Sequence, residues 1–395
     1  MIQVLQWVLG CGAGYVLALC AVLFVETFAA VRRPAAPVSA GTRQRMAVLV
    51  PAHDEELQIA ATLRAIIAQL GTADRVLVVA DNCADSTASA ARGAGAEVIE
   101  RSDPAHRGKG YALDFGVRHL EQDPPDVVVV IDADCDIAPG TLDRLARLAA
   151  ASGRPVQSLY LMRAMGGGGF SIRVAEFAWI IKNQVRPLGL HRLGLPCQLM
   201  GTGMAFPWRL IQASKLASGN LVEDMKLGID LALAGAAPLF SPDTLVTSVF
   251  PISDEGLRGQ RKRWEHGHLL TILREVPRAF VAGVRSLSVA LLALSLDLAV
   301  PPLALLCVLT AVVGIGALAL ALVAGELLPL GIAATAAALL VASILRSWWQ
   351  YGRHVISGRD LALGPLYALR KLPLYAGFIV SRQMEWVRSK RNGEP

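Results

Sequence analysis

Charged side chains are absent from long stretches near both ends of this 395-residue chain. Residues 4–25 and 327–345 carry no charge, and Asp297 is the only charged residue in 286–325. A helix that crosses a bilayer needs about 20 mainly apolar residues. The missing charges therefore predict an N-terminal transmembrane helix within residues 1–31 and two C-terminal transmembrane helices within residues 298–345.

Basic residues are also absent before the first apolar stretch, which argues against a cleaved signal peptide. Arginines, including Arg32 and Arg33, follow it instead, so the positive-inside rule places the N-terminus outside and the next residues in the cytosol. Arginines also flank the last two apolar stretches, so both flanks are expected in the cytosol. The chain must then cross the membrane an even number of times between them, with Glu326 in the outer loop. We expect a multi-pass protein of the inner or cell membrane whose tail, residues 346–395, is cytosolic or interfacial.

Cysteine is scarce, and the six cysteines of the chain are scattered singly. No pair has the spacing of a zinc site, and a cytosolic domain is a poor setting for a disulfide framework. The thiols are therefore predicted to be reduced and structural.

Residues 45–268 have the composition of a charged globular domain, in which apolar strands alternate with helical segments. The predicted strands are MAVLVPA, RVLVVAD, AEVIER and DVVVVIDAD, and the acids from Asp54 to Glu56 are predicted to open the first helix. This alternation is typical of a doubly wound, mostly parallel α/β sheet. Residues 269–296 then alternate apolar positions with arginines, which predicts an interfacial helix region.

Acidic side chains stand where predicted strands end, and ligands bind at that edge of open α/β sheets. Asp81 ends the second strand and either accepts a hydrogen bond from a nucleotide base or shapes the turn DNCADST. Asp132 and Asp134 end the most apolar strand, and two carboxylates there repel each other unless a cation lies between them. Carboxylate oxygens suit Mg²⁺ or Mn²⁺, while the alternative is capping of the next helix.

Three further segments carry residues suited to binding or catalysis. Lys109 stands between glycines at a helix start, as in a diphosphate site or a plain solvated turn. Gly201 and Gly203 allow close backbone approach, or else only relieve packing against a strand. Glu223 and Asp224 open a helix, where an acid can act as a catalytic base or simply cap the helix.

The segment QRKRW, residues 260–264, precedes the predicted interfacial helix. Arginine offers a planar fork to phosphate oxygens, and tryptophan offers a flat face to a sugar ring. The alternative is a basic, aromatic membrane anchor, because Arg and Trp favour interfaces.

These signatures occur in an order that resembles the family 2 inverting glycosyltransferases, the group with cellulose and hyaluronan synthases and ceramide glucosyltransferase. The resemblance covers roughly residues 45 to 270 and is more specific than any single motif. It implies a GT-A-type sheet, a nucleotide-sugar donor, Mg²⁺ or Mn²⁺ as cofactor, and membership of the membrane-bound QxxRW group.

The resemblance also implies a role for each matching position. Asp224 matches the catalytic base and Asp134 the metal ligand. The nucleotide-binding positions correspond to Pro51, Ala52, His53, Glu55, Asp81, Lys109 and Asp132. The acceptor and diphosphate positions correspond to Glu223, Gln260, Arg263, Trp264, Gly201, Thr202 and Gly203.

The expected function is transfer of a sugar from a nucleotide donor, with UDP as the expected nucleotide, to a lipid-linked or membrane-proximal acceptor. The expected context is exopolysaccharide or glycolipid synthesis, with the bilayer and other assembly enzymes as partners and no nucleic acid. One alternative is a processive polysaccharide synthase. An alternative of another class is a catalytically silent membrane scaffold that binds nucleotides.

Overall fold

The computed structural model describes residues 2–31, 43–164, 168–251 and 254–380. Within these ranges one eight-stranded sheet forms the centre of the globular part. Its strands are β1 (Met46–Ala52), β2 (Arg75–Asp81), β3 (Glu97–Arg101), β4 (Val127–Val130), β5 (Asp136–Ile137), β6 (Val156–Arg163), β7 (Met204–Pro207) and β8 (Leu239–Val249). They lie in the order β3-β2-β1-β4-β7-β6-β8-β5.

The first four strands form the parallel half of the sheet. β1 pairs in parallel with β2 and β4, and β2 pairs in parallel with β3. Val127–Val130 is fully buried, as expected for a central strand covered by helices on both faces. The carboxyl ends of β1, β2 and β4 therefore meet at one edge, where the acidic motifs follow them.

The second half of the sheet is mixed. β7 runs antiparallel to β4 and β6, β6 runs parallel to β8, and β5 runs antiparallel to β8. The predicted class, a mostly parallel α/β sheet, is confirmed.

Helices cover both faces of the sheet. They are α2 (Ile59–Ile67), α3 (Thr87–Gly93), α4 (Lys109–Leu120), α5 (Thr141–Ser152), α6 (Phe170–Ile180), α7 (Arg186–Arg192), α8 (Trp208–Gln212) and α9 (Glu223–Leu233), which follow α1 (Ile2–Ala29) in the chain. A π-helical turn, Ile181–Val185, joins α6 to α7 without a break. Such turns occur often at functional sites.

The acids after β1 do not open a helix, which corrects the prediction for Asp54 to Glu56. Asp54 has a φ of 52°, which is outside the right-handed helical region, and α2 begins only at Ile59. The Asp54 carboxylate accepts a hydrogen bond from the Ala84 backbone N–H at 2.7 Å. Glu56 accepts one from the Ser86 N–H at 2.8 Å. These acids join the loop after β1 to the loop after β2.

A series of helices follows the sheet in the chain. They are α10 (Asp254–Ser286), α11 (Val289–Ala299), α12 (Leu303–Ala324), α13 (Leu328–Ser347), α14 (Gly358–Ala362), α15 (Gly364–Arg370) and α16 (Leu372–Val380). Among the described residues, three helices are long and apolar enough to cross a membrane, namely Ile2–Ala29, Leu303–Ala324 and Leu328–Gly352. α1 packs against both α12 and α13.

The region predicted as an interfacial helix, residues 269–296, is divided between two helices. Leu287, with a φ of 51°, lies in the break between α10 and α11. α10 starts at Asp254, so QRKRW lies inside this helix and not before it. The arginines after the first span, Arg32 and Arg33, and the last residues of the tail, 381–395, lie outside the described residues.

A buried charge cluster joins α1, α7 and α11. Arg186 donates to Glu26 Oε2 at 2.6 Å and to both the carboxylate and the backbone carbonyl of Asp297 at 2.6 Å. One turn further along α7, a Cβ on Gly189 would lie 1.8 Å from the backbone oxygen of Glu26. Burial of an ion pair stabilises a fold only if its partners are all present. α1 is therefore an integral part of the domain packing.

Candidate active site

A cleft of about 210 Å³ opens at the carboxyl ends of β1, β2 and β4. It brings together most of the predicted site residues. Its walls include Pro51, Ala52, His53, Glu55, Asp81, Lys109, Asp132, Asp134, Gly201, Glu223, Asp224, Gln260, Arg263 and Trp264. These residues come from seven separate sequence segments, and the fold places them around one space.

Thr202 and Gly203 are placed behind the cleft wall. The Thr202 hydroxyl accepts a hydrogen bond from the Asp132 backbone N–H at 3.0 Å. A Cβ on Gly203 would lie 1.9 Å from the Ser158 hydroxyl, and its φ is 66°. Thr202 thus supports the segment after β4, and Gly203 packs against β6. Of the three predicted residues Gly201, Thr202 and Gly203, only Gly201 lines the cleft.

Asp81 lies on one side of the cleft and is held by two donors. Arg101 Nη1 donates to its Oδ1 at 2.6 Å, and Asn82 Nδ2 donates to the same atom at 3.0 Å. His53 Nδ1 lies 2.7 Å from the backbone oxygen of Asp81. The Glu55 N–H donates to the Thr87 hydroxyl at 2.7 Å. This network fixes the loops after β1 and β2 against each other.

Lys109 is the cation at the cleft floor. Its Nζ donates to the Asp132 carboxylate and, at 2.8 Å, to the Gly201 carbonyl. Burial lowers the pKa of Lys109, but the nearby carboxylates of Asp132, Glu223 and Asp224 raise it overall. Lys109 therefore stays charged at the start of α4, where a diphosphate would be attracted.

Asp132 and Asp134 form a candidate metal site together with Cys135. The three residues offer ligand atoms that lie within 4.8 Å of one another. Burial and the two carboxylates raise the pKa of the Cys135 thiol well above its usual value. Its Sγ lies 3.7 Å from Asp134 Oδ1 and 3.6 Å from the Thr202 hydroxyl. These distances fit a protonated thiol that forms weak hydrogen bonds. The remaining donors are two hard carboxylates, which fit Mg²⁺ or Mn²⁺.

Glu223 and Asp224 begin α9 and line the cleft. Burial, followed by the charge of Asp224, raises the pKa of Glu223 to about 7. Burial also raises the pKa of Asp224, against the opposing effects of the Met225 N–H and of Lys182 and Lys109. A carboxylate with a raised pKa takes up a proton more readily near neutral pH, which is what a general base requires.

The QRKRW segment lines the cleft from α10. Gln260 is buried, and its Oε1 has no hydrogen-bond donor in the part of the chain that the structure describes. Trp264 packs against Trp179 of α6, with ring centroids 4.9 Å apart. Arg263 lines the same wall. An amide, a guanidinium and an indole are thus presented together to a ligand.

The sequence reasoning missed Trp179, Lys182 and Asn183, which line the cleft from α6 and the π-helical turn. Burial lowers the pKa of Lys182, while Asp224 opposes this effect. Lys182 Nζ lies 5.7 Å from the centroid of the Trp179 ring and has no ion-pair partner among the described residues. These residues could have been found from the sequence, because Lys182 and Asn183 are polar residues inside the otherwise apolar run AWIIKNQV.

A family model described as glycosyltransferase like family 2 matches residues 43–267, which is more than half of the chain. The chain belongs to this family. The family part of the predicted resemblance is therefore confirmed, over the boundaries expected from the motifs. No curated protein matches the chain significantly.

The fold also resembles solved structures. A mannosyltransferase from Pyrobaculum calidifontis, solved with GDP-Man and Mn²⁺, has a TM-score of 0.59 and 17% identity over 97% of this chain and 100% of that one. Glucosyl-3-phosphoglycerate synthase from Mycobacterium tuberculosis, solved with Mn²⁺ and UDP-glucose, has a TM-score of 0.40 and 23% identity over 61% of this chain and 84% of its own. Only the first score supports a common fold, and that likeness extends over the apolar helices as well as the sheet.

Proposed function

We propose that this glycosyltransferase is membrane-anchored and inverting, and that it transfers a sugar from a nucleotide donor to a lipid-linked or membrane-proximal acceptor. UDP is the proposed nucleotide, and exopolysaccharide or glycolipid synthesis is the proposed context. The observation that carries the proposal is the meeting of Asp132 and Asp134 with Asp224 and Trp264 in one cleft. The carboxylates after β4 suit a metal ion with a nucleoside diphosphate, while Asp224 suits a base and Trp264 a sugar ring.

The donor is proposed to bind on the side of β1, β2 and α4. Asp81 offers Oδ2 to a base N–H, since Oδ1 already accepts from Arg101 and Asn82. Asp134, with Asp132, would hold Mg²⁺ or Mn²⁺, which when bound neutralises charge on the leaving diphosphate. Lys109 adds a fixed positive charge at the start of α4.

The chemical step is proposed to be a single displacement. Asp224 takes the proton of the acceptor hydroxyl while that oxygen bonds to the anomeric carbon. The bond from this carbon to the diphosphate oxygen breaks with its electron pair, so the configuration at carbon inverts. Glu223 lies beside the base and orients the acceptor, and Arg263 and Trp264 hold the diphosphate end and the sugar.

The membrane anchor is supported by the three helices that are long and apolar enough to cross a bilayer. α10 carries Gln260, Arg263 and Trp264 in the cleft, and it continues to the apolar helices α11 and α12. An acceptor held at the membrane surface would therefore lie close to the cleft.

The experiment that tests the proposal is release of nucleoside diphosphate by the purified full-length protein. UDP-sugars and GDP-sugars are offered in turn, with membrane lipid extract as acceptor and Mg²⁺ or Mn²⁺ present. We expect turnover with a UDP-sugar that depends on the extract. Binding of nucleotide sugars without any hydrolysis or transfer would instead favour the catalytically silent scaffold.

A further inference from the structure

A second cavity, of about 850 Å³, adjoins the catalytic cleft on the side of the apolar helices. α12 and α13 form much of its wall, and α6, α10 and α15 complete it. Its lining is mainly aliphatic, with Leu303, Cys307, Ile315, Leu340, Val341 and Ile344 as representative residues. Trp179, Lys182 and Trp264 line both this cavity and the cleft, so the two spaces meet at these side chains.

The cations of this cavity fall into two groups. Lys371 pairs with Glu265, and Arg186 pairs with Glu26 and Asp297. Lys182 and Arg261, in contrast, have no carboxylate partner among the residues that the structure describes.

The contacts that hold Arg261 and Lys182 are made to a backbone carbonyl and to aromatic rings, and not to a carboxylate within ion-pair distance. Arg261 donates to the Ser171 carbonyl at 3.3 Å, and its guanidinium lies 6.0 Å from the centroid of the Tyr367 ring. Lys182 lies 5.7 Å from the Trp179 ring centroid. A cation beside an apolar space without a carboxylate at ion-pair distance is costly, because it loses hydration there. The low dielectric of the same space strengthens its attraction to an anionic ligand.

Building on the proposed function, we infer that this cavity holds the apolar chain of the acceptor, a lipid with an anionic phosphate head group. The phosphate lies near Lys182 and Arg261, and the acceptor hydroxyl reaches past Trp179 and Trp264 to Asp224. The order of groups along the path gives the order of groups in the ligand: apolar chain, phosphate, hydroxyl. A neutral lipid would fill the same apolar space but would place no anion within ion-pair distance of Lys182 or Arg261.

The lipid phosphate is a binding group in this arrangement and does not react. The hydroxyl beyond the phosphate loses its proton to Asp224 and bonds to the anomeric carbon of the donor. The nucleoside diphosphate leaves with the electron pair of the broken bond. The product is thus a glycoside of the lipid head group, and the chain and phosphate are unchanged.

Lipid binding by the purified full-length protein tests the head-group part of the inference. Native mass spectrometry in an uncharged detergent compares dioleoylphosphatidylglycerol with dioleoylglycerol, which has the same chains but no phosphate. We expect the wild-type protein to bind the phospholipid at least about tenfold more tightly than dioleoylglycerol. The double variant Lys182→Gln, Arg261→Gln should lose this preference, because it lacks the two cations that would pair with the phosphate. Equal binding of both lipids by the wild-type protein would overturn the inference.

Gly314 on α12 tests the cavity itself. It lines the cavity, and a Cβ at this position would meet no atom within 4 Å, so Gly314→Phe fills the space without a backbone clash. Gly331 on α13 is the matched control, because it has the same free space but does not line the cavity. We expect Gly314→Phe to weaken phosphatidylglycerol binding about tenfold or more and Gly331→Phe to leave it unchanged, with wild-type melting temperatures for both. If the two variants bind the lipid equally well, the cavity is not the lipid site.

Nucleotide binding separates this inference from the function on which it rests. A wild-type protein that binds and turns over a nucleotide sugar, but binds both lipids equally, would refute the lipid site and leave the proposed function intact. A wild-type protein that binds no nucleotide sugar would overturn the proposed function itself.

Discussion

Arg101 Nη1 lies 2.6 Å from Oδ1 of Asp81, and this ion pair joins the ends of β3 and β2 at the edge of the cleft. Asp81 is almost fully buried, with 6% of its surface exposed, so the carboxylate cannot swing freely. One oxygen is engaged by Arg101, which leaves the other to a ligand. The position of a proposed base-binding group is therefore set by a residue of the neighbouring strand.

Replacement of Asp224 by Asn removes the proposed proton acceptor while it keeps the size of the side chain. We expect the transfer rate to fall by about 10² to 10⁴, as is typical for loss of a general base, with nucleotide binding close to wild type. Steady-state rates and nucleotide titration measure the two effects. Asp230→Asn on the same helix is the control, because Asp230 pairs with Lys226 and does not line the cleft. Near-normal turnover of Asp224→Asn would exclude it as the base.

The acidic pair also predicts the pH dependence of transfer. Burial raises the pKa values of both carboxyls, and with the added charge of Asp224 that of Glu223 reaches about 7, so protons remain bound up to higher pH than usual. A base must be deprotonated to act, so kcat/KM should rise with pH, and the rise should lie at higher pH than for an ordinary exposed aspartate. Glu223→Gln removes the neighbouring charge and should move this rise to lower pH. An identical profile in the variant would show that the pair is not coupled during catalysis.

Metal dependence follows from the carboxylates after β4. Chelation should abolish activity, and Mn²⁺ or Mg²⁺ should restore it. Asp134→Ala should weaken binding of nucleoside diphosphate only when metal is present, because the metal joins the carboxylate to the phosphates. Asp136→Ala is the matched control, since Asp136 is exposed on β5. Nucleotide binding that responds neither to chelator nor to Asp134→Ala would make the pair purely structural.

Topology can be tested by labelling with a membrane-impermeant thiol reagent. Gln6 near the start of α1 donates to Glu326 in the loop between α12 and α13 at 2.7 Å, so these two positions lie on the same side. The positive-inside rule predicts that this side is outside. In a Cys11→Ser background, Glu326→Cys should be labelled on intact cells and Gly358→Cys should not. Labelling of Gly358→Cys from outside would require a different number of crossings.

Product length distinguishes single transfer from polymer synthesis. Export of a polysaccharide needs a polar path, and the three candidate spans are dominated by Leu, Ala and Val. We expect one sugar, or very few, on each acceptor. Mass spectrometry of products formed with excess donor provides the measurement. A ladder of donor-sugar units would favour the processive synthase.

The sheet and most of the cleft were predictable because their signals are local. Continuous apolar runs such as VVVVI mark buried parallel strands, and acids at their ends mark the ligand-binding edge. Asp81, Asp132 and Asp134 follow directly from this reasoning.

The residues that could not be predicted from the sequence owe their positions to tertiary contacts. Lys182 lines the cleft from a π-helical turn, and the periodicity of the sequence does not predict such a turn. Arg101 gains its role from pairing across two strands. Asp54 looked like a helix opener, but its link to Ala84 in the next loop overrides that local preference.

The buried cluster around Arg186 bears on how the protein can be produced. Deletion of α1 is a common way to obtain a water-soluble catalytic fragment, yet a chain that begins at residue 43 would lack Glu26. It would also uncover the surface at Gly189, where the α1 backbone packs. Loss of one partner of a buried charge cluster typically costs about 3–5 kcal/mol, a large share of the stability of a domain. The first helix is thus as much a part of the catalytic unit as a strand of its sheet, and solubility should be sought with detergents or nanodiscs and not by truncation.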